Sequence, residues 1–129
     1  QGAGAVAEAM LPRLLRPGTA MTDPGLVEQV REMMAGSPVA GVAGALVAMR
    51  DRPDSRPLLP TLGRVPTLVL VGREDVLTPP DVAQAMADAI PGAEYQVIGG
   101  AAHLPTLEQP ELTTERLRQF LDRVAWDDV

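Results

Sequence analysis

His103 is the only histidine among 129 residues, and it sits in the stretch GGAAHLPTLEQP, residues 99–110, between small residues and a proline. Upstream by 28 residues, Asp75 closes the loop Gly72-Arg73-Glu74-Asp75. A carboxylate that reaches an imidazole accepts the proton on one ring nitrogen and fixes the tautomer, leaving the other nitrogen free to take a proton from a nucleophile. It also stabilises the imidazolium that forms. Each residue has a plainer reading: a lone histidine serves packing as readily as chemistry, and Asp75 could do no more than cap a helix beginning near Thr78 and Pro79. The elements that carry the two residues decide whether they meet.

Thr67-Leu68-Val69-Leu70-Val71 is an unbroken apolar run, partly β-branched and closed by Gly72, as expected of a parallel strand covered on both faces. Thr78-Pro79-Pro80 starts a helix with Val82, Ala85, Met86, Ala89 and Ile90 on one face, and Pro91-Gly92 ends it. A second strand is expected at about 94–98. After the His103 loop, Pro110 opens a last helix with Thr113, Leu117, Phe120, Leu121 and Val124 on its inner side. Strand, helix, strand, helix with short connections predicts an α/β fold with a parallel pair and a crossover between its strands. Ligands of such sheets bind beyond the carboxyl ends of the strands, where both loops fall, so Asp75 and His103 are expected at one sheet edge.

Residues 1–52 have a different character, helical with short loops. After the Asp23-Pro24 start signal, Leu26, Val27, Val30, Met33 and Met34 form one apolar stripe. Ser37-Pro38 repeats the signal, Ser37 serving as a helix cap, and Val39, Val42, Ala43, Leu46 and Met49 continue at helical spacing until Asp51–Pro57 breaks the pattern. The expected division is 1–52 helical, 53–66 linker, and 67–129 strand-helix units.

With 46% hydrophobic residues the chain can bury a core, and one compact unit is the default. A net charge of −6 without any basic run argues against a nucleic-acid partner, which needs clustered cations against phosphates. No cysteine and one histidine leave no thiolate or multi-histidine metal site, and no cofactor is expected. No apolar run approaches the roughly 20 residues that span a bilayer. All 11 basic residues are arginine, a composition that suggests a GC-rich bacterial genome, and the cytoplasm is the expected compartment. The chain opens at Gln1 rather than Met, which points to a piece of something longer.

VPTLVLVGREDVLTPP followed by IPGAEYQVIGGAAHLPTLEQPE resembles the last two core β-α units of the α/β-hydrolases, most like the lactonase and esterase group that includes 3-oxoadipate enol-lactonases. The resemblance covers roughly residues 57–124, and residues 1–52 look like the end of a helical cap with the helix returning to the core. It implies a hydrolase of a carboxylic ester or lactone, with Asp75 in the family's G-x-x-D position as triad acid and His103 as general base. Glu108 falls in the H-x-x-x-x-E-Q-P run as a structural residue, and Val76 and Leu104, beside the acid and the base, are expected to touch substrate.

The family's nucleophile elbow, G-x-S-x-G, is missing. Ser37 and Ser55 are the only serines and neither follows a strand, so no nucleophile is assigned within this chain. The expected partner is the N-terminal half of the same enzyme or a second copy of the chain, since a strand apolar on both faces with no flanking strands leaves a pairing edge. Alone, the chain is expected to be inactive. The alternatives are a non-catalytic interaction module derived from this fold, and a C–C hydrolase or cofactor-free haloperoxidase-like activity on the same scaffold.

Overall fold

A computed structural model describes residues 2–124. The last five residues of the expected 67–129 unit lie outside the described residues. In chain order the elements are α1 (Ala3–Leu14), α2 (Thr19–Thr22), α3 (Pro24–Ala35), α4 (Val39–Asp51), a 3-10 helix (Arg56–Leu62), β1 (Leu68–Gly72), α5 (Pro80–Asp88), β2 (Glu94–Ile98), α6 (Pro105–Glu108) and α7 (Pro110–Leu121).

The helical segment begins as its start signals require. The Asp23 carboxylate accepts from the Leu26 N–H at 2.9 Å with Pro24 at the first helical position of α3, so an otherwise orphaned backbone donor is satisfied. Helices α1 and α3 pack through Leu11, Leu15, Leu26 and Val30, and Val27 and Met34 lie against that cluster. Met33, expected in the same stripe, is 62% exposed, because the stripe that α1 covers is narrower than the apolar sequence.

One further expectation is corrected, the cap on α4. Ser37 does not cap α4: its hydroxyl donates back to the Met33 carbonyl at 3.2 Å and closes α3, while Pro38 holds the N-cap position of α4 with no side-chain cap. Helix α4 buries none of its residues among those described, since no other element packs closely on the Val39, Leu46 and Met49 face. The expected linker contains the 3-10 turn Arg56–Leu62, which Pro57 and Pro60 shape by restricting φ.

β1 and β2 form a two-stranded parallel sheet with Leu68 opposite Glu94 and Gly72 opposite Ile98. The cover on β1 is one-sided rather than two-sided: Val69 and Val71 are buried against Ala83 and Ala87 of α5, whereas Leu68 and Leu70 are half-buried. The inner face of α5 is also rotated from the expected one. Ala83 and Ala87 are buried and Val82 and Met86 are 55% and 43% exposed, while Ile90, just beyond the helix, is buried as expected. Alanine lets a helix backbone approach the sheet, so the small stripe wins over the larger one. On α7, Thr113 is buried and Phe120 half-buried, but Leu117 and Leu121 face outward.

Gly92, with φ of 79°, makes the turn from α5 into β2 in a conformation that favours glycine. Ile98, at the end of β2, is fully buried and delivers the chain into the Gly99–His103 loop.

Candidate functional site

The loops leaving β1 and β2 are laced together by backbone hydrogen bonds beyond the strands: Arg73 N–H to the Ile98 carbonyl at 2.9 Å, and Glu74 N–H to the Ala101 carbonyl at 3.0 Å. Their approach is so close that a Cβ on Gly72 would stand 1.9 Å from the Ala102 carbonyl oxygen. Only glycine fits at that position. The parallel register thus places residue 75 of one loop against residue 103 of the other.

Asp75 is 6% exposed and its carboxylate is saturated. Oδ1 accepts from the backbone N–H of Leu77 at 2.8 Å and of Thr78 at 3.0 Å. Oδ2 accepts from the Thr78 hydroxyl at 2.8 Å and pairs with His103 Nδ1 at 2.9 Å. Asp75 therefore shapes the turn ahead of α5 and holds the imidazole, so the plain and the chemical readings of this residue describe one arrangement. Thr78 Oγ1 lies 3.4 Å from His103 Nδ1, and because both donate to Oδ2 they stand side by side on one acceptor.

Burial pushes the Asp75 carboxyl up, but the Thr78 N–H, the His103 ring, the Thr78 hydroxyl and the Leu77 N–H together outweigh it, so its pKa lies below the ordinary value of 3.8. An ionised carboxylate only accepts hydrogen bonds, so Nδ1 carries the proton. Nε2 has no hydrogen-bond partner among the described residues, and the His103 side chain is 34% exposed. In the neutral ring Nε2 is then a free base.

A cleft of about 290 Å³ opens beside the pair, lined by Leu70, Gly72, Asp75, Thr78, Val82, Met86 and His103 among others. Val82 and Met86, the two largest apolar side chains of α5, thus form a wall of it together with β1. Their spacing gave no sign of this, whereas Asp75-x-x-Thr78 is a spacing from which the Thr78 contact could have been anticipated. Val76 is 60% exposed and Leu104 packs against the α1–α3 cluster, so neither expected substrate contact lines the cleft. A larger cleft of about 420 Å³ between α1 and α3 is lined by residues such as Leu11, Arg16 and Arg31 and holds the Glu8–Arg31 ion pair but no imidazole. Ser37 and Ser55 are not in the lining of either cleft.

Glu108 ties this site to the helical segment. Its Oε2 accepts from Ala102 N–H at 2.7 Å, and its Oε1 from Arg16 N–H at 2.8 Å and the Thr19 hydroxyl at 2.6 Å.

Parallel β-α units with a buried carboxylate holding an imidazole at the carboxyl ends of the strands define an α/β protein with an acid-base pair. The chain belongs to the alpha/beta hydrolase family, whose profile matches residues 2–116. It is similar to a thermophilic esterase from Thermogutta terrifontis, with 45% identity and a TM-score of 0.92 over 95% of this chain and 45% of that one. It is also similar to the enol-lactonase from Burkholderia xenovorans LB400, with 29% identity and a TM-score of 0.88 over 95% of this chain and 46% of that one. Over 60 residues it is 37% identical to the uncharacterized carboxylesterase nap of Bacillus subtilis, a match covering 46% of this chain and 20% of that protein. The chain spans less than half the length of these relatives. Among the described residues, no single helix is long and apolar enough to cross a membrane.

Proposed function

We propose that this chain supplies the acid and the base of a serine hydrolase that opens a carboxylic ester or lactone. The observation that carries the reading is the 2.9 Å pairing of buried Asp75 with His103 Nδ1 at the mouth of a cleft, with Nε2 uncommitted. Nε2 would take the proton of a serine hydroxyl as its oxygen attacks the ester carbonyl, then return that proton to the leaving alcohol as the acyl-enzyme forms. In the second half His103 would take a proton from water as its oxygen attacks the acyl carbonyl, then return that proton to the serine oxygen as the acyl–serine bond breaks and the acid leaves. Asp75 stays ionised throughout and stabilises the imidazolium.

The serine and its oxyanion hole come, on this proposal, from the N-terminal half of the same enzyme. Relatives about twice as long and the one-sided cover of β1 support that source over a second copy. Residues 1–52 would then be the end of the cap and the helix returning to the core. The similar esterase and enol-lactonase support an ester or lactone as substrate class. The test is hydrolysis of short-chain aryl esters and of lactones by the natural gene product and its His103→Gln variant. Loss of kcat by about 10³-fold or more, with the protein still folded, is expected. Undiminished turnover in the variant would remove His103 from the chemistry.

A further inference from the structure

The loop that carries His103 is Gly99-Gly100-Ala101-Ala102, and no side chain in it is larger than a methyl group. Ala101 and Ala102 are buried, but methyl groups give packing little to grip, so the place of the loop depends also on bonds to its backbone. Two of those bonds flank the imidazole and both come from outside the sheet. The Ala102 N–H donates to Glu108 Oε2 at 2.7 Å, and the His103 N–H donates to the Leu14 carbonyl, at the C-terminal end of α1, at 3.1 Å. The other carboxylate oxygen of Glu108 holds the chain just beyond α1, through the Arg16 N–H and the Thr19 hydroxyl, and Thr19 is 3% exposed. The Glu108 carboxylate thus reaches a segment 92 residues back in the sequence.

We propose that Glu108 is a positioning residue for His103: its carboxylate clamps the imidazole-bearing loop to the segment between α1 and α2, so that the helical segment sets where Nε2 stands. The proposal rests on His103 being the base. Charge-assisted bonds of this kind are short and directional, and three of them on one carboxylate leave little freedom to the Ala102 amide. A misplacement of about 1 Å at a reacting group costs up to roughly 10²-fold in rate.

The experiment uses the natural gene product labelled with ¹⁵N-histidine, the His103 signal being identified by its loss in His103→Gln. Glu108→Gln keeps the size but loses one acceptor, leaving an amide donor facing a donor on one side of the clamp. Glu108→Asp keeps the charge but is too short to reach both sides. Both variants are expected to lower kcat roughly 10- to 100-fold with KM little changed, and to move the His103 Nδ1 resonance and its titration. A fall in melting temperature with kcat and the His103 resonances unmoved would make Glu108 a fold staple and overturn the proposal. An effect in Glu108→Gln but none in Glu108→Asp would assign the effect to charge and overturn it equally.

If the Glu108 variants do not fold, Thr19→Val removes one donor from the far end of the same clamp. It should lower kcat and shift the His103 resonance in the same direction by less, and unchanged values would overturn the proposal. Intact hydrolysis in His103→Gln would sink the assignment of the base, while the ring resonances would still report whether Glu108 holds the loop.

Discussion

Replacing Gly72 by alanine puts a methyl group in place of a hydrogen at the point where the two site loops touch. The new Cβ would meet the Ala102 carbonyl oxygen at 1.9 Å, the Ala101 carbonyl oxygen at 2.5 Å and the Ala102 carbonyl carbon at 2.7 Å. All three are backbone atoms, so no side chain can swing aside. Reaching even the 3.0 Å that Cβ atoms tolerate needs a displacement of about 1.1 Å. A shift of that size stretches the Arg73–Ile98 and Glu74–Ala101 hydrogen bonds, now 2.9 and 3.0 Å, past useful length. Overpacking contributes roughly 1–3 kcal/mol and the two lost bonds roughly 0.5–1.5 kcal/mol each, so a loss of about 2–6 kcal/mol is expected. In urea that corresponds to a midpoint lower by roughly 2 M for a slope near 2 kcal/mol/M. Equilibrium unfolding of the natural gene product, followed by far-UV circular dichroism, measures it. The His103 ring resonances, read on the same samples, should shift as the 2.9 Å contact with Asp75 opens. A midpoint within about 0.2 M of the parent, together with unmoved His103 resonances, would refute the packing argument.

Asp75→Asn probes the charge at the same pair. An amide in place of Oδ2 donates to Nδ1, drives the ring proton to Nε2 and should lower kcat by roughly 10³- to 10⁴-fold with the fold retained. Because the folded-state pKa of Asp75 is depressed, its carboxylate stabilises the fold above the ordinary value of 3.8, and that contribution is lost as pH falls through the folded value. Unfolding midpoints of parent and Asp75→Asn should therefore differ at pH 7 and draw together in acid below that value; a gap independent of pH would contradict the assignment. Gly44, inside α4, has nothing within 4 Å of the place a Cβ would take, so Gly44→Ala should raise stability by about 0.5–1 kcal/mol in a denaturant titration, the opposite sign from Gly72→Ala.

The sequence by itself determined what depends on neighbours along the chain. The apolar run at β1, the prolines that open α3, α5 and α7, and the Pro91-Gly92 stop are local preferences, and they sufficed to predict an α/β chain and the order of its last four main elements. The meeting of Asp75 with His103 was legible for the same reason: one strand-helix-strand passage brings two successive strand ends to the same edge of a parallel sheet. Tertiary structure alone decided which face of each element is covered. Helical spacing is satisfied by Val82 and Met86 as well as by Ala83 and Ala87, and the choice falls to whichever stripe lets the helix sit closest to β1. Met33 was lost from its expected stripe, and α4 left without cover, because burial belongs to the partner surface and not to the helix. Glu108 illustrates the same division at the site. Its motif slot marked it as structural, but its three hydrogen bonds reach as far back as Arg16, and contacts across 92 residues carry no periodicity that a linear pattern could reveal.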